Sequence, residues 1–216
     1  MGRCNGIIQG GNMNEHFTYK KLELGVLPSD LKTINSTYPW PKNEQGVAFS
    51  YFAHYVFPVD LIDKEFIDML HAGDMTVHHV EVFYRPGTGE GFDAFIHTDG
   101  HKIIDGLAKI NLVLGGDKNI MRWYMPLGPV KPENLMTTKA NTKYLVFQSD
   151  EVDEIDSVEM QGLYVVNAGI PHSVDMNKGS PDNPRVCLSI VPKDLHTGKL
   201  LGCIDVYNRL ASTANK

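Results

Sequence analysis

From Met75 onward, hydrophobic and polar residues alternate along the chain with the two-residue period of half-buried β-strands. Clusters of glycine, proline, asparagine and aspartate separate the alternating segments, which is typical of β-sandwiches and barrels. The predicted strands are residues 76–85, 92–98, 107–114, 120–125, 143–148, 162–167, 171–176 and 185–191. Strands in this number predict a mainly β protein with a jelly-roll barrel at its core.

The hydrophobic pattern on either side of this region is helical instead. In residues 59–70 the apolar side chains recur with helical spacing, so this segment is predicted to pack one face against the outside of the sheet. A proline and capping-type residues follow Leu27 and predict a shorter helix there. A third short helix is predicted around residues 200–210. Helices therefore flank the predicted barrel.

These patterns predict one domain in three parts. Residues 1–75 form an N-terminal extension with packing helices, residues 76–192 form the barrel core, and residues 193–216 buttress it. Within the core, the segment 117–160 is longer than a bare barrel needs and contains an acidic stretch. It is predicted to be either a lid over a site or a solvated loop. Trp123, in the same segment, either stacks on a substrate or packs in the core.

The composition narrows the classes of partner. The 216 residues are enough to bury a sizeable core. The formal net charge of −6, from 20 Lys and Arg against 26 Asp and Glu, argues against nucleic acid as an obligate partner. No apolar stretch approaches the roughly 20 residues of a membrane helix, and the first residues lack the apolar segment of a signal peptide. Cys4, Cys187 and Cys203 lack metal or redox spacing, so we expect reduced thiols in a cytoplasmic protein.

Candidate chemistry lies in the triplet His97-Thr98-Asp99. Residues i and i+2 of a β-strand point to the same face, so His97 and Asp99 can reach one cation, and Phe95 is in phase with them toward a closed interior. A second imidazole, His172, arriving from a distant strand would complete a facial triad of two histidines and one carboxylate. Such a triad suits Fe(II) and leaves coordination positions open for a co-substrate and O2.

A second triplet, His79-Val80-Glu81, repeats this spacing in the strand 76–85. The alternate residues of that strand, which include Tyr84, form its more apolar face. His79 and Glu81 are therefore predicted to lie on the polar face with water as their partner.

The strand 107–114 has one clearly apolar face and one mixed face. Lys109, Asn111 and Val113 share the mixed face. Asn111 is therefore a candidate polar contact within the barrel cavity, and the alternative is an ordinary packed strand residue.

A basic residue, Arg185, follows the turn-rich residues 177–184, which predict a hairpin between the flanking strands. Folding the chain back at this turn would place Arg185 opposite or nearly opposite His172, one cross-strand step from the metal. A dicarboxylate that chelates iron through an oxo-acid end needs a cation for its far carboxylate. A planar guanidinium offers that carboxylate a bidentate partner.

These motifs resemble those of the 2-oxoglutarate and Fe(II)-dependent dioxygenases. Residues 83–92, with a tyrosine and a glycine-rich turn ahead of the His-x-Asp triplet, look like the prolyl-hydroxylase-like branch of that family, and residues 164–174 are similar to its strand, turn and distal histidine. The resemblance covers residues 76–192 and implies a double-stranded β-helix. It also implies metal ligands at His97, Asp99 and His172, co-substrate binding by Arg185, and a hydrogen bond from Tyr84 to the co-substrate carboxylate.

By the same resemblance, the activity implied is hydroxylation of an unactivated C–H bond with release of succinate and CO2. The strand that begins at Arg185 lacks the further arginine of the nucleic-acid demethylase branch, so repair of alkylated bases is disfavoured. An amino acid, a peptide or protein side chain, and another small molecule are all open as substrate, and the sequence does not decide the oligomeric state. The alternatives are a cupin-like metalloenzyme that does not use 2-oxoglutarate and a non-catalytic jelly-roll binding module.

Overall fold

The computed structural model describes most of the chain. The described residues are 17–30, 32–34, 53–85, 92–93, 95–116, 119–137, 143–176 and 185–213. Their strands are β1 (Tyr19–Leu22), β2 (Ala53–Val56), β3 (Met75–Arg85), β4 (Phe92–Asp93), β5 (Ile96–His97), β6 (Ala108–Leu114), β7 (Ile120–Pro126), β8 (Leu135–Thr137), β9 (Lys143–Phe147), β10 (Val152–Glu159), β11 (Gly162–Asn167), β12 (His172–Met176) and β13 (Arg185–Asp194).

Among the described residues the fold is mainly β, and the strands form two antiparallel sheets. The first sheet has the order β1-β11-β6-β13-β3-β2. The second has the order β10-β7-β12-β5-β9-β8, and β4 pairs with β12 beside this path. Each sheet therefore combines strands that are distant in sequence, which brings the two halves of the chain into one core.

Two hydrophobic layers cover the faces of the first sheet. On one face, side chains such as Val82, Ile110 and Leu188 pack with the flanking helices. On the other face, Val113 and Cys187 pack against residues of the second sheet. Both faces of the central strands are thus buried, and a polar residue on either face lies in the interior rather than in water.

Trp123 belongs to the layer between the sheets. Its side chain is fully buried, its Nε1 donates a hydrogen bond to the Asn167 carbonyl oxygen at 2.9 Å, and its ring stacks on Tyr19 at 5.3 Å between centroids. The prediction that this tryptophan packs in the core is therefore confirmed.

Helical segments lie between β1 and β3 and after β13. Residues 32–34 are helical. The segment predicted as one helix over 59–70 is a 3-10 turn at Val59–Leu61 followed by an α-helix at Lys64–Ala72. The break has a local cause, because the Asp63 side chain accepts a hydrogen bond from the Glu65 backbone N–H at 2.8 Å and caps the new helix. The C-terminal helix is Cys203–Thr213.

All eight predicted strands are present, with the segment 92–98 divided into β4 and β5. The sequence pattern missed β1, β2, β8 and β10. The expectation of a solvated acidic loop is wrong for Val152–Glu159, because this segment is strand β10 and pairs with β7 along its length. Half of its side chains are exposed and half are acidic, which suits a strand at the edge of a sheet.

The predicted hairpin between β12 and β13 is also wrong. The strand β12 pairs with β4, β5 and β7 in the second sheet, whereas β13 pairs with β3 and β6 in the first. The first eight residues of β13 are buried, so this strand needs neighbours on both edges and cover on both faces. Turn composition in residues 177–184, which lie outside the described part, could not reveal that the chain changes sheets there.

The helices in the described part of the chain include none long and apolar enough to cross a membrane. Cys187 and Cys203 are both buried and free, whereas Cys4 lies outside the described residues.

Candidate metal centre

Two adjacent strands of the second sheet bring the predicted triad together. His97 ends β5 and His172 begins β12, and these two residues are direct partners in the antiparallel register. Asp99 follows His97 by two residues. One ligand atom from each of His97, Asp99 and His172 lies within 4.8 Å of the others, so the group can hold a metal ion.

Both imidazoles present the same nitrogen to the centre of this group. His97 Nε2 lies 3.6 Å and His172 Nε2 lies 3.9 Å from Asp99 Oδ1. On the opposite side of each ring, Nδ1 lies 2.9 Å from a backbone carbonyl oxygen, that of Phe95 for His97 and that of Ile170 for His172. An Nδ1–H that donates to a carbonyl leaves the Nε2 lone pair for a cation.

The backbone around the triplet is fixed by its neighbours. Thr98 is fully buried, and its backbone N–H donates to the Leu145 carbonyl oxygen at 3.1 Å. Its hydroxyl donates to the Gly100 carbonyl oxygen at 2.7 Å, and the Asp99 N–H donates to the Ala168 carbonyl oxygen. With Thr98 anchored, His97 and Asp99 project to the other face, as the strand alternation predicts.

The group lies close to the protein surface. The side chains of His97 and Asp99 are 24% and 23% exposed, whereas that of His172 is 6% exposed. The expectation that Phe95 faces a closed interior is wrong, because this residue is 49% exposed and its ring lies 5.1 Å from the His97 ring. His97 and Asp99 are therefore partly accessible to solvent beside the exposed Phe95 ring.

The surroundings of Asp99 favour its charged form, and those of His172 favour its neutral form. Burial tends to raise the pKa of Asp99, but the Lys109 ammonium and the two imidazoles outweigh it, and the pKa of this carboxyl lies well below its usual value. Burial and then His97 lower the pKa of His172 to about 4, against the opposing effect of Asp99. At neutral pH the centre thus has an ionised carboxylate and an unprotonated His172.

A lysine that the sequence did not suggest contacts this centre. Lys109 Nζ lies 3.0 Å from Asp99 Oδ2 and 3.1 Å from Glu81 Oε2. Burial tends to lower the pKa of Lys109, but Asp99 and Glu81 outweigh it and hold the pKa above its ordinary value. The one available signal was its place on the mixed face of a strand, since a buried lysine requires paired carboxylates.

The prediction that water is the partner of His79 and Glu81 is wrong for Glu81, whereas the His79 side chain is 42% exposed. Glu81 forms the ion pair with Lys109, and His79 Nε2 lies 3.9 Å from Glu81 Oε1. Burial is the main cause of a lowered pKa of His79. This face of β3 points toward the second sheet, so Glu81 joins an interior ion pair while His79 stays partly exposed.

Arg185 faces the same interior from the first sheet, although it is not the cross-strand neighbour of His172. The residue is 7% exposed, and its buried Nε has no hydrogen-bond partner. No carboxylate among the described residues forms an ion pair with it. Burial raises the pKa of the nearby Cys187, while Arg185 and Lys109 lower it and Asp99 raises it. Cys187 is therefore close enough to Arg185 and to the Lys109–Asp99 pair for their charges to affect its pKa.

Asn111 and Tyr84 are the remaining predicted cofactor contacts. Asn111 is buried beside Lys109 on β6, and its Oδ1 accepts a hydrogen bond from Ser189 Oγ at 2.7 Å. The backbone of Tyr84 pairs with Val186, but its side chain lies outside the described part of the structure. A contact of either residue with a co-substrate stays a prediction.

No protein-family model matches this chain, and a comparison with curated proteins finds no match.

Proposed function

We propose that this protein is an Fe(II)- and 2-oxoglutarate-dependent oxygenase with a double-stranded β-helix core. His97, Asp99 and His172 would hold the iron, and Arg185 would bind the far carboxylate of 2-oxoglutarate. Two antiparallel sheets that share one core and exchange strands from distant parts of the chain are consistent with such a jelly-roll. Two imidazoles and one carboxylate with open positions form the ligand set expected for non-haem Fe(II).

The observation that carries the co-substrate proposal is the buried Nε of Arg185, which has no hydrogen-bond partner in the described part of the structure. A buried polar atom without a hydrogen-bond partner is costly, and a buried cation without a counter-charge costs more. Arg185 Nε is such an atom, and the arginine lies on the face of β13 that points toward the second sheet. A carboxylate supplied by a ligand would satisfy it.

The charges of the interior support a dianionic co-substrate. The carboxylates of Asp99 and Glu81 are balanced by the cations of Lys109 and Arg185. A bound divalent metal ion adds two positive charges that the described protein groups do not balance. A 2-oxo dicarboxylate would neutralise them while it chelates the metal at one end and meets Arg185 at the other.

In this proposal the protein binds and orients the iron, the co-substrate and the substrate. The iron with its co-substrate supplies the chemistry of oxygen activation and C–H hydroxylation. The carbonyl oxygens of Phe95 and Ile170 hold the two imidazoles in the orientation that presents Nε2. Asp99 contributes a negative charge that favours higher oxidation states of a metal. The partial exposure of His97 and Asp99 would let a substrate approach the metal, and an amino acid, a peptide side chain or another small molecule is consistent with it.

The experiment is an anaerobic titration of the metal-free protein, first with Fe(II) and then with 2-oxoglutarate. Visible absorption is recorded after each addition. We expect a metal-to-ligand absorption band that requires both additions and is lost in His172→Ala. The control His71→Ala removes an exposed helix histidine and should retain the band. Iron binding without a band would favour the cupin-like metalloenzyme, and absence of iron binding would favour the non-catalytic binding module.

A further inference from the structure

Lys109 is a charged residue beside the metal centre to which the proposed function assigns no role. It lies on β6 in the first sheet and is 8% exposed, whereas the triad lies on the second sheet. Its side chain therefore crosses the space between the sheets. A buried ammonium in such a place requires partners for all three of its N–H donors.

Those partners come from two different parts of the chain, the segment after β5 and the strand β3. One is Asp99 Oδ2 at 3.0 Å, and another is Glu81 Oε2 on β3 at 3.1 Å. The Phe83 ring, with its centroid 5.8 Å from Nζ, is in range of a cation–π contact. The lysine is thereby held at a fixed position relative to the carboxylate of the triad.

The two oxygens of Asp99 consequently have different surroundings. Oδ2 contacts the ammonium, while Oδ1 lies 3.6 Å and 3.9 Å from the two Nε2 atoms. A carboxylate can bind a metal through one oxygen or through both. Here one oxygen is turned toward the imidazoles, and the other is already bound by a cation of the protein.

We propose that Lys109 is a positioning residue that keeps Asp99 a one-oxygen metal ligand and so preserves an open coordination position for a bidentate co-substrate. This inference rests on the metal-binding part of the proposed function. If both oxygens of Asp99 bound the metal, one of the positions needed for the oxo acid and O2 would be filled. Glu81 holds the far side of the ammonium and stops it from moving away from Asp99.

The test uses Mn(II) as the bound ion and water-proton relaxation as the readout, because relaxation reports the number of exchangeable waters on the metal. Wild type should have about three such waters, since a facial triad occupies half of an octahedron. Lys109→Met should lose about one of them as Asp99 turns to bind through both oxygens. Its Mn(II) affinity should be equal to or higher than that of wild type, because a cation next to the metal is removed.

Conservative variants separate positioning from general support of the fold. Lys109→Arg keeps a cation against Asp99 and should retain the wild-type water count. Glu81→Gln keeps an oxygen acceptor for Lys109 and should also retain it. A purely structural role of Lys109 would instead predict weaker Mn(II) binding in Lys109→Met, without the change in water count.

A lysine-to-methionine change leaves two buried carboxylates without their cation and can prevent folding. The double variant Lys109→Met with Glu81→Gln removes the cation together with one of those charges, and circular dichroism establishes whether it is folded. A wild-type water count in folded Lys109→Met or in the folded double variant overturns the proposal. Because this readout needs neither 2-oxoglutarate nor turnover, a protein that binds Mn(II) but not 2-oxoglutarate would contradict the proposed function and still test the role of Lys109.

Discussion

His97 and His172 are direct cross-strand partners, and their ring centroids lie 4.6 Å apart. The pairing of β5 with β12 therefore determines the separation of the two imidazoles, while Asp99 is carried two residues beyond His97 on the same segment. The candidate metal centre is thus a product of sheet register. A shift of one residue in this register would turn one of the two imidazoles to the other face of the sheet.

The first prediction concerns metal binding by the triad. His172→Ala removes a nearly buried ligand and leaves two donor groups, so stoichiometric binding of Fe(II) or Mn(II) should be lost, with an affinity lower by at least about tenfold. Isothermal titration of the metal-free protein measures this directly. The control is again His71→Ala, and equal metal affinity in His172→Ala and wild type would exclude His172 as a ligand.

The second prediction separates the metal from the co-substrate. Arg185→Ala should weaken 2-oxoglutarate binding by about tenfold or more, because hydrogen bonds to charged groups contribute roughly 1.5–3 kcal/mol. The affinity for the metal should be unchanged. The absorption titration with 2-oxoglutarate measures the first quantity, and calorimetric titration measures the second.

A matched control for that experiment is Arg122→Ala. Arg122 lies on β7 and forms an ion pair with Glu154 at 2.9 Å, so it is an arginine that already has a carboxylate partner. It should leave co-substrate affinity unaffected. If Arg185→Ala also had no effect, the main reason for choosing a 2-oxoglutarate enzyme over another metal-binding barrel would disappear.

Strand periodicity was sufficient to predict the parts of this fold in which side chains alternate between a buried and a polar face. The pair His97 and Asp99 was predictable for that reason, since Thr98 between them is buried on the opposite face. The acidic strand β10 was not predictable in this way. It pairs with β7 and packs its apolar side chains against the core, and the acidic side chains between them conceal the alternation.

Long-range relations account for the remaining differences. Turn residues near Arg185 indicated a change of direction but not a change of sheet, so the hairpin with His172 was wrongly predicted. Lys109 was missed because a lysine is normally exposed, and its burial is stable only through Asp99 and Glu81, which lie in other parts of the chain. Whether the polar face of a strand is buried depends on the elements that pack over it. The local sequence of the strand does not identify those elements.

The third prediction concerns the space that Arg185 requires. Gly116 has φ +68°, and a Cβ there would lie 2.8 Å from Arg185 Cβ and 2.9 Å from Asn119 Oδ1. Gly116→Ala should lower the free energy of unfolding by about 1–3 kcal/mol, which is the usual cost of a strained backbone position. It should also weaken 2-oxoglutarate binding, because the arginine must shift.

Urea unfolding measures the first effect, and the absorption titration measures the second. Gly128→Ala is the matched control, because a Cβ at Gly128 meets no atom within 4 Å. A Gly116→Ala protein as stable as this control, with unchanged co-substrate affinity, would contradict the proposed close packing of Gly116 against Arg185.

The last prediction concerns the dependence of stability on pH. Hydrogen bonds from the Lys131 side chain, the Gln148 backbone N–H and the Asn134 amide lower the pKa of Glu151 to about 2. These contacts join the turn before β10 to the turn before β8, and β8 in turn pairs with β9, the neighbour of β5. A carboxyl whose pKa is lower in the folded chain stabilises the fold above its unfolded pKa, and this stabilisation is lost as the pH falls toward the folded value.

Glu151→Gln should therefore be less stable than wild type at neutral pH, and the difference should shrink as the pH falls from about 4.3, the ordinary glutamate pKa, toward about 2. Urea unfolding at a series of pH values measures the free energy of unfolding of both proteins. Glu133→Gln, which changes an exposed glutamate in the 3-10 turn before β8, is the control and should follow the wild-type curve. A constant difference between Glu151→Gln and wild type across this range would mean that the Glu151 carboxylate is not selectively stabilised in the folded chain.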